Sequence, residues 1–151
     1  KQPNAVSEDG VPSFAEMRSL GASVRGSLAS GVANFEFAWY DSLDDGDGNN
    51  PGIPNSQLRF LVGYDWEAVT NFNVGLQYYL EWTQDHERLI ANSPAPRFEP
   101  DEYRSVFTNR LTYRMMRDNL TLSAFTFYSP SDDDVYTEDN VNAYARMRFY
   151  F

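Results

Sequence analysis

The sequence predicts an all-β, antiparallel up-and-down transmembrane β-barrel, or the C-terminal portion of one, with about seven strands in the 151 residues. Three observations predict it. The last stretch, Val141 to Phe151, alternates strictly: Val141, Ala143, Ala145, Met147, Phe149 and Phe151 on one face, with Asn142, Tyr144, Arg146, Arg148 and Tyr150 between them. A period of two with one greasy and one wet face is that of a strand, and about ten residues is enough to cross a bilayer at a tilt. Connections between such stretches alternate short and long, as in a barrel with turns on one rim and loops on the other. Large aromatics sit near strand ends on the apolar faces, where interfacial girdles belong.

Taken in order, residues 1–16 read as an exposed N-terminal loop segment rich in Pro, Asn, Ser and acid. The first strand runs from Met17 to Leu28, with Leu20, Ala22, Val24 and Leu28 opposed to Gly21, Ser23, Arg25 and Ser27. Ala29-Ser30-Gly31-Val32 turns it. The second strand, Ala33 to Asp41, sets Ala33, Phe35, Phe37 and Trp39 against Asn34, Glu36, Ala38 and Tyr40. A long acidic loop covers 42–56. The third strand alternates Leu58, Phe60, Val62, Tyr64 and Trp66 with Arg59, Leu61, Gly63, Asp65 and Glu67, and Ala68-Val69-Thr70-Asn71 turns it. The fourth opposes Phe72, Val74, Leu76, Tyr78, Leu80 and Trp82 to Asn73, Gly75, Gln77, Tyr79, Glu81 and Thr83. A second long loop covers 84–102. The fifth strand carries Tyr103, Phe107, Leu111, Tyr113 and Met115 opposite Arg104, Thr108, Arg110, Thr112 and Arg114. After Arg117-Asp118-Asn119 comes the least regular strand, Leu120 to Tyr128, with Phe125 and Phe127 on its polar side. The third long loop, 129–140, leads to the last strand. All three long loops are expected on the extracellular side, and residues 1–151 form one barrel domain.

Composition fits this class and excludes others. Aromatics make up 16% of the chain, yet mean hydropathy is -0.56, because only every second strand residue faces lipid in a barrel. No run of about 18 apolar residues exists for a membrane helix. There is no cysteine, which removes disulfide and thiolate chemistry. A net charge of -10 argues against nucleic acid as a partner. Nothing at the start resembles a signal peptide, so an export signal is expected to have been removed. A soluble barrel or a lipocalin-like carrier would give a similar alternation with its apolar face turned inward; strand length and the girdle aromatics Trp39, Tyr64, Trp66, Trp82, Tyr103 and Tyr113 favour the membrane.

An odd strand count puts the start of the first strand and the start of the last on the same rim. Bacterial barrels have even counts. Further strands, from missing sequence or from another chain, are therefore expected to complete the barrel.

Several segments resemble bacterial outer-membrane barrels of porin type. They are Gly21-Ala22-Ser23-Val24-Arg25-Gly26, Val32-Ala33-Asn34, Tyr40-Asp41-Ser42, Pro54-Asn55-Ser56, Arg59-Phe60-Leu61-Val62-Gly63-Tyr64, Gln77-Tyr78-Tyr79-Leu80-Glu81 and Thr126-Phe127-Tyr128-Ser129-Pro130-Ser131-Asp132. The resemblance covers about Gly21 to Tyr144 and implies an outer-membrane location, contact with its lipid, and transport or another envelope role, with no catalytic residues to carry over. The final run, ending on Phe149 and Phe151, also resembles the terminal strand that the barrel assembly machinery reads.

The polar faces carry Arg25, Arg59, Arg104, Arg110, Arg114, Arg146 and Arg148, with Lys1 the one lysine in the chain. Arginine keeps its charge and forks onto carboxylate or phosphate. Two expectations follow: an arginine-lined pore for anionic solutes, or arginines paired with inward acids in a non-conducting structural or partner-binding module. Asp45, Asp47 and Asn49 alternate as in calcium loops, but Asn50 and Ser56 stand where a Gly and a Glu belong, so calcium is the one cofactor candidate, on an incomplete motif. Asp132-Asp133-Asp134 with Glu138 and Asp139 reads as a solvated acidic loop. The single histidine, His86, has no nucleophile aligned with it, and no enzyme is expected.

Overall fold

The computed structural model describes residues 3–7, 10–130 and 140–149. Its main body is a seven-stranded antiparallel sheet in which each strand pairs with its neighbours in sequence. With a two-stranded hairpin at the start, β1 (Ala5–Val6) and β2 (Pro12–Ser13), the order is β3 (Met17–Leu28), β4 (Gly31–Ser42), β5 (Gln57–Val69), β6 (Phe72–Thr83), β7 (Tyr103–Met115), β8 (Leu120–Ser129) and β9 (Asn140–Phe149). Strands of 10 to 13 residues have the reach of bilayer-spanning strands. The sheet is open: β3 and β9 are its edges and do not pair with each other. No helix among the described residues is long and apolar enough to cross a membrane.

Register makes the sheet two-faced. Leu20 lies opposite Trp39, Trp39 opposite Leu58, Leu58 opposite Trp82, and Trp82 opposite Tyr103. A second row runs Val24, Phe35, Val62, Tyr78, Phe107, Tyr128. Every apolar series therefore falls on one continuous face. A slip of one residue in any pair would have moved a whole series to the other side. Cross-strand ring pairs tie this face together: Phe37–Phe60 at 5.3 Å, Tyr78–Phe107 at 4.9 Å and Trp82–Tyr103 at 5.8 Å between centroids.

The short connections use left-handed backbone. Ala29, Asn71 and the run Met116 to Asp118 all have positive φ, the conformation that reverses a chain within a few residues. The first turn is tighter than the sequence predicts, because Gly31 and Val32 already belong to β4. The second is shorter too, since β5 continues through an irregularity at Glu67 to Val69 before Thr70-Asn71. Gly31 has a specific reason to be glycine. The Tyr64 ring lies over it, with the phenol donating to the Leu28 carbonyl oxygen at 2.9 Å, and a Cβ there would meet the Asp65 carbonyl oxygen and, at 2.7 Å, the ring. Gly31→Ala is expected to lower stability by about 1–3 kcal/mol, read as a shift of the urea midpoint at unchanged slope.

Two expected loops hold structure. The segment 84–102 contains a helix, α1 (His86–Asn92), and a 3-10 turn at Pro96–Phe98. The segment 1–16 contains the β1–β2 hairpin. Both correct the reading of these stretches as plain loops. They interlock with the 43–56 loop at the end of the sheet where the long connections lie. Val6 donates its N–H to the Gly52 oxygen at 2.6 Å, Glu16 N–H donates to Asp44 Oδ2 at 2.7 Å, and Gln84 N–H donates to the Ser56 oxygen at 2.8 Å. Arg88 reaches the Asp47 carbonyl oxygen at 3.0 Å. Among the described residues, the buried apolar ones are Ala5 and Leu89. Both belong to this cap and neither to the sheet.

Candidate functional site

Among the described residues, nothing covers the apolar face. Leu20, Val24, Leu28, Phe35, Leu122 and Met147 are exposed, as are Val62 (52%) and Leu76 (47%) at the middle of the sheet. Isolated exposed apolar residues are ordinary, but a contiguous face of them marks a surface that meets something apolar. Its tryptophans and several tyrosines fall at both ends, with Phe35, Tyr78 and Phe107 in the row between them. Trp39, Trp82 and Tyr103 lie toward the long loops, while Tyr64, Trp66 and Tyr113 lie toward the short turns, joined there by Phe149 opposite Leu120. Tyr64 and Trp66 stack at 5.4 Å. Phe151 and the acidic cluster Asp132 to Asp139 lie outside the described residues.

Two polar residues interrupt the apolar face on β7. Ser105 is satisfied by the Tyr78 phenol at 3.0 Å. Asn109, between Leu76 and Thr126 in register, keeps a buried carboxamide oxygen with no hydrogen-bond partner.

The opposite face carries all seven arginines singled out in the sequence, and they divide. Arg59 is held tightly: Nε lies 3.1 Å from Glu81 Oε2, the guanidinium donates to Gln57 Oε1 at 2.6 and 3.2 Å, and it lies over the Tyr40 ring at 4.5 Å. Tyr79 donates to the same carboxylate at 2.8 Å, and Arg104 stands directly opposite Glu81 in register. Arg110 reaches across Gly75 to Asp65 Oδ1 at 2.7 Å. The absence of a side chain at Gly75 makes that reach possible, because a Cβ there would collide with the Asp65 carboxylate. The guanidinium groups of Arg25, Arg114 and Arg146 make no hydrogen bond or ion pair within the described residues. Arg148 lies level with Arg114, each opposite Thr121.

The arginines fall at two heights. The Arg59–Glu81–Arg104 row is near the long loops, whereas Arg110, Arg114, Arg146 and Arg148 gather toward the short turns. There a concave cavity of about 530 Å³ is lined by Asp65, Glu67, Asn73, Arg110, Thr112 and Arg114. Glu67 is occupied in part by the Asn71 N–H at 2.6 Å. Phe125 and Phe127 do project to this polar side, Phe127 meeting Tyr144 edge-on at 6.3 Å.

Of the calcium candidates, Asp45 is engaged within its own loop and Asp47 by Arg88 of α1. Asp45 accepts the N–H groups of Asn49 at 3.1 Å and Asn50 at 2.8 Å, and Asp47 lies 3.5 Å from Arg88. Among the described residues no group of three or more His, Cys, Asp or Glu side chains is arranged to hold a metal ion. His86 contacts the Pro100 carbonyl oxygen at 2.9 Å and braces the loop.

The pairings Arg59–Glu81 and Arg110–Asp65 are not legible as contacts in the sequence. Their signal is the register itself: once β5, β6 and β7 are aligned by their apolar series, Arg59 faces Glu81, and Gly75 separates Asp65 from Arg110. Comparison of the chain with protein-family models, with curated proteins and with solved structures finds no match.

Proposed function

We propose that this sheet is part of a transmembrane β-barrel of the bacterial outer membrane, with the apolar face toward lipid and the arginine face lining a pore for anionic solutes. One observation carries the reading: an apolar face that no described residue covers spans all seven strands, with tryptophan and tyrosine near both ends, and opposes a polar face that carries arginines. Tyr103 and Tyr113 are ten positions apart on β7, about 33 Å along a strand. At the tilt of barrel strands this projects to about 25 Å, the height of an outer-membrane apolar band. Further strands, pairing at β3 and β9, close the sheet.

Arg25, Arg114 and Arg146 supply the positive field, since their charge is not cancelled by a bound carboxylate. Arg59 and Arg110 serve instead as braces. In planar bilayers under a KCl gradient, the reversal potential is expected to have the sign of anion preference. The double replacement Arg114→Glu with Arg146→Glu is expected to move it toward cation preference. Cation preference in the unaltered protein, or the lack of any conductance, overturns the pore and leaves the structural or partner-binding barrel module.

A further inference from the structure

In the polar-face cavity near the short turns, charge is sorted by strand. Asp65 and Glu67 stand on β5, Arg110 and Arg114 on β7, and β6 between them supplies Gly75 and Asn73 to the lining. Register fixes this order: Asp65, Gly75 and Arg110 form one row, and Glu67, Asn73 and Thr112 the next. Alternate residues of a strand share a face, so Arg114 projects on the same side as Thr112. The hollow therefore has an acidic wall and a basic wall, and its volume of about 530 Å³ is that of a small-molecule site.

Two strand spacings separate the walls, about 10 Å of backbone. In the upper row the long Arg110 side chain crosses that gap over Gly75 and meets Asp65 at 2.7 Å. Toward the turn the gap stays open. Glu67 Oε1 accepts the Asn71 N–H at 2.6 Å, which orients the carboxylate and leaves Oε2 with no donor among the described residues. The Arg114 guanidinium, the Asn73 amide and the Thr112 hydroxyl likewise make no hydrogen bond among the described residues. All four can be reached: Glu67 and Arg114 are exposed, and Asn73 and Thr112 are half-buried.

A single charge is poorly served here, since an anion meets the β5 carboxylates and a cation meets the β7 guanidiniums. A molecule with both charges is served at each wall, because ammonium donates to carboxylate and guanidinium forks onto carboxylate. We infer that the hollow binds a zwitterion of the amino-acid class, lying across β6 with its ammonium at Glu67 and its carboxylate at Arg114. Asn73 and Thr112, between the walls, can donate or accept along its length. Glu67 and Arg114 are offset by two residues as well as two strands, about 12 Å of backbone. With a hydrogen bond of about 2.8 Å at each end, the remaining span suits charges several atoms apart, as in an ω-amino acid. The site requires only that the polar face meets water, so it stands apart from conduction and from anion preference.

The test titrates the full chain in detergent micelles with 4-aminobutyrate, and with butyrate and n-butylammonium as matches that carry one charge each. Calorimetry and the NMR shifts of the Asn73 side-chain amide and the Gly75 backbone amide report binding. Saturable binding of 4-aminobutyrate is expected, at least about fivefold tighter than either match. Glu67→Gln, which can still accept the Asn71 N–H, is expected to weaken 4-aminobutyrate about fivefold and to leave butyrate no weaker than before. Arg114→Gln is expected to weaken 4-aminobutyrate to a similar extent while sparing n-butylammonium. These opposite selectivities would not follow from a general loosening of the sheet. Butyrate binding as tightly as 4-aminobutyrate, no saturable binding of the zwitterion, or an affinity for it unchanged by Glu67→Gln overturns the site. So does an equal weakening of zwitterion and butyrate by that substitution. None of these readouts depends on conduction through the sheet.

Discussion

Leu76→Arg is expected to cost about 2–4 kcal/mol of folding free energy in a lipid bilayer, the range measured for arginine at the midplane of a barrel's outer face. Leu76 lies mid-strand on β6, between Tyr64 and Asn109 in register, and is 47% exposed in the isolated sheet. If water covered that face, a change at so exposed a position would fall within about 0.5 kcal/mol. The neighbouring Gln77→Arg, on the polar face of the same strand, provides the control and is expected to have almost no effect. Urea titration of vesicle-inserted protein, followed by Trp66 and Trp82 fluorescence, measures both. Equal and small effects would remove lipid from the apolar face and with it the membrane reading.

Glu81→Gln is expected to destabilise the sheet by about 1–3 kcal/mol. The Glu81 side chain is 13% exposed, and it receives both the Arg59 guanidinium and the Tyr79 hydroxyl. Without its charge, Arg59 retains Gln57 and the Tyr40 ring but not a counter-charge. Removing Arg59 as well should recover part of the loss, and the double-mutant cycle is expected to give a coupling of about 1–3 kcal/mol. Arg114→Gln and Arg146→Gln, whose side chains bond no described residue, should change stability by no more than about 0.5 kcal/mol. The same denaturation midpoints thus sort the arginines that hold the sheet from those that only shape its field. A vanishing coupling between Arg59 and Glu81 would refute the brace.

The strands were legible because their signal is long and periodic. Met17–Leu28, Phe72–Thr83 and Tyr103–Met115 have the bounds their alternation predicts. Even the irregular strand at Leu120 is correctly placed, with Phe125 and Phe127 on the polar side. The hairpin Ala5–Ser13 was not legible, since two-residue strands carry no period. The helix His86–Asn92 is too short for an amphipathic stripe. Its remaining signal was the stop at Ser93-Pro94, after a stretch with no Gly or Pro. The cavity on the polar face was hidden for a different reason. Its acidic and basic walls come from β5 and β7, and no local pattern joins positions as distant as Glu67 and Arg114.

The cap and the sheet differ in how far apart their partners are along the chain. Strand pairs join sequence neighbours, so each hairpin can form as soon as its own two strands exist. The cap joins Val6 to Gly52, Asn55 to Gln84 and Arg88 to Asp47, closures that must wait for the strands between them. It is therefore expected to behave as a separate cooperative unit, late to form and early to open. Hydrogen exchange should distinguish the two, with the Val6 and Gln84 amides exchanging well before those at the centres of β5 and β6.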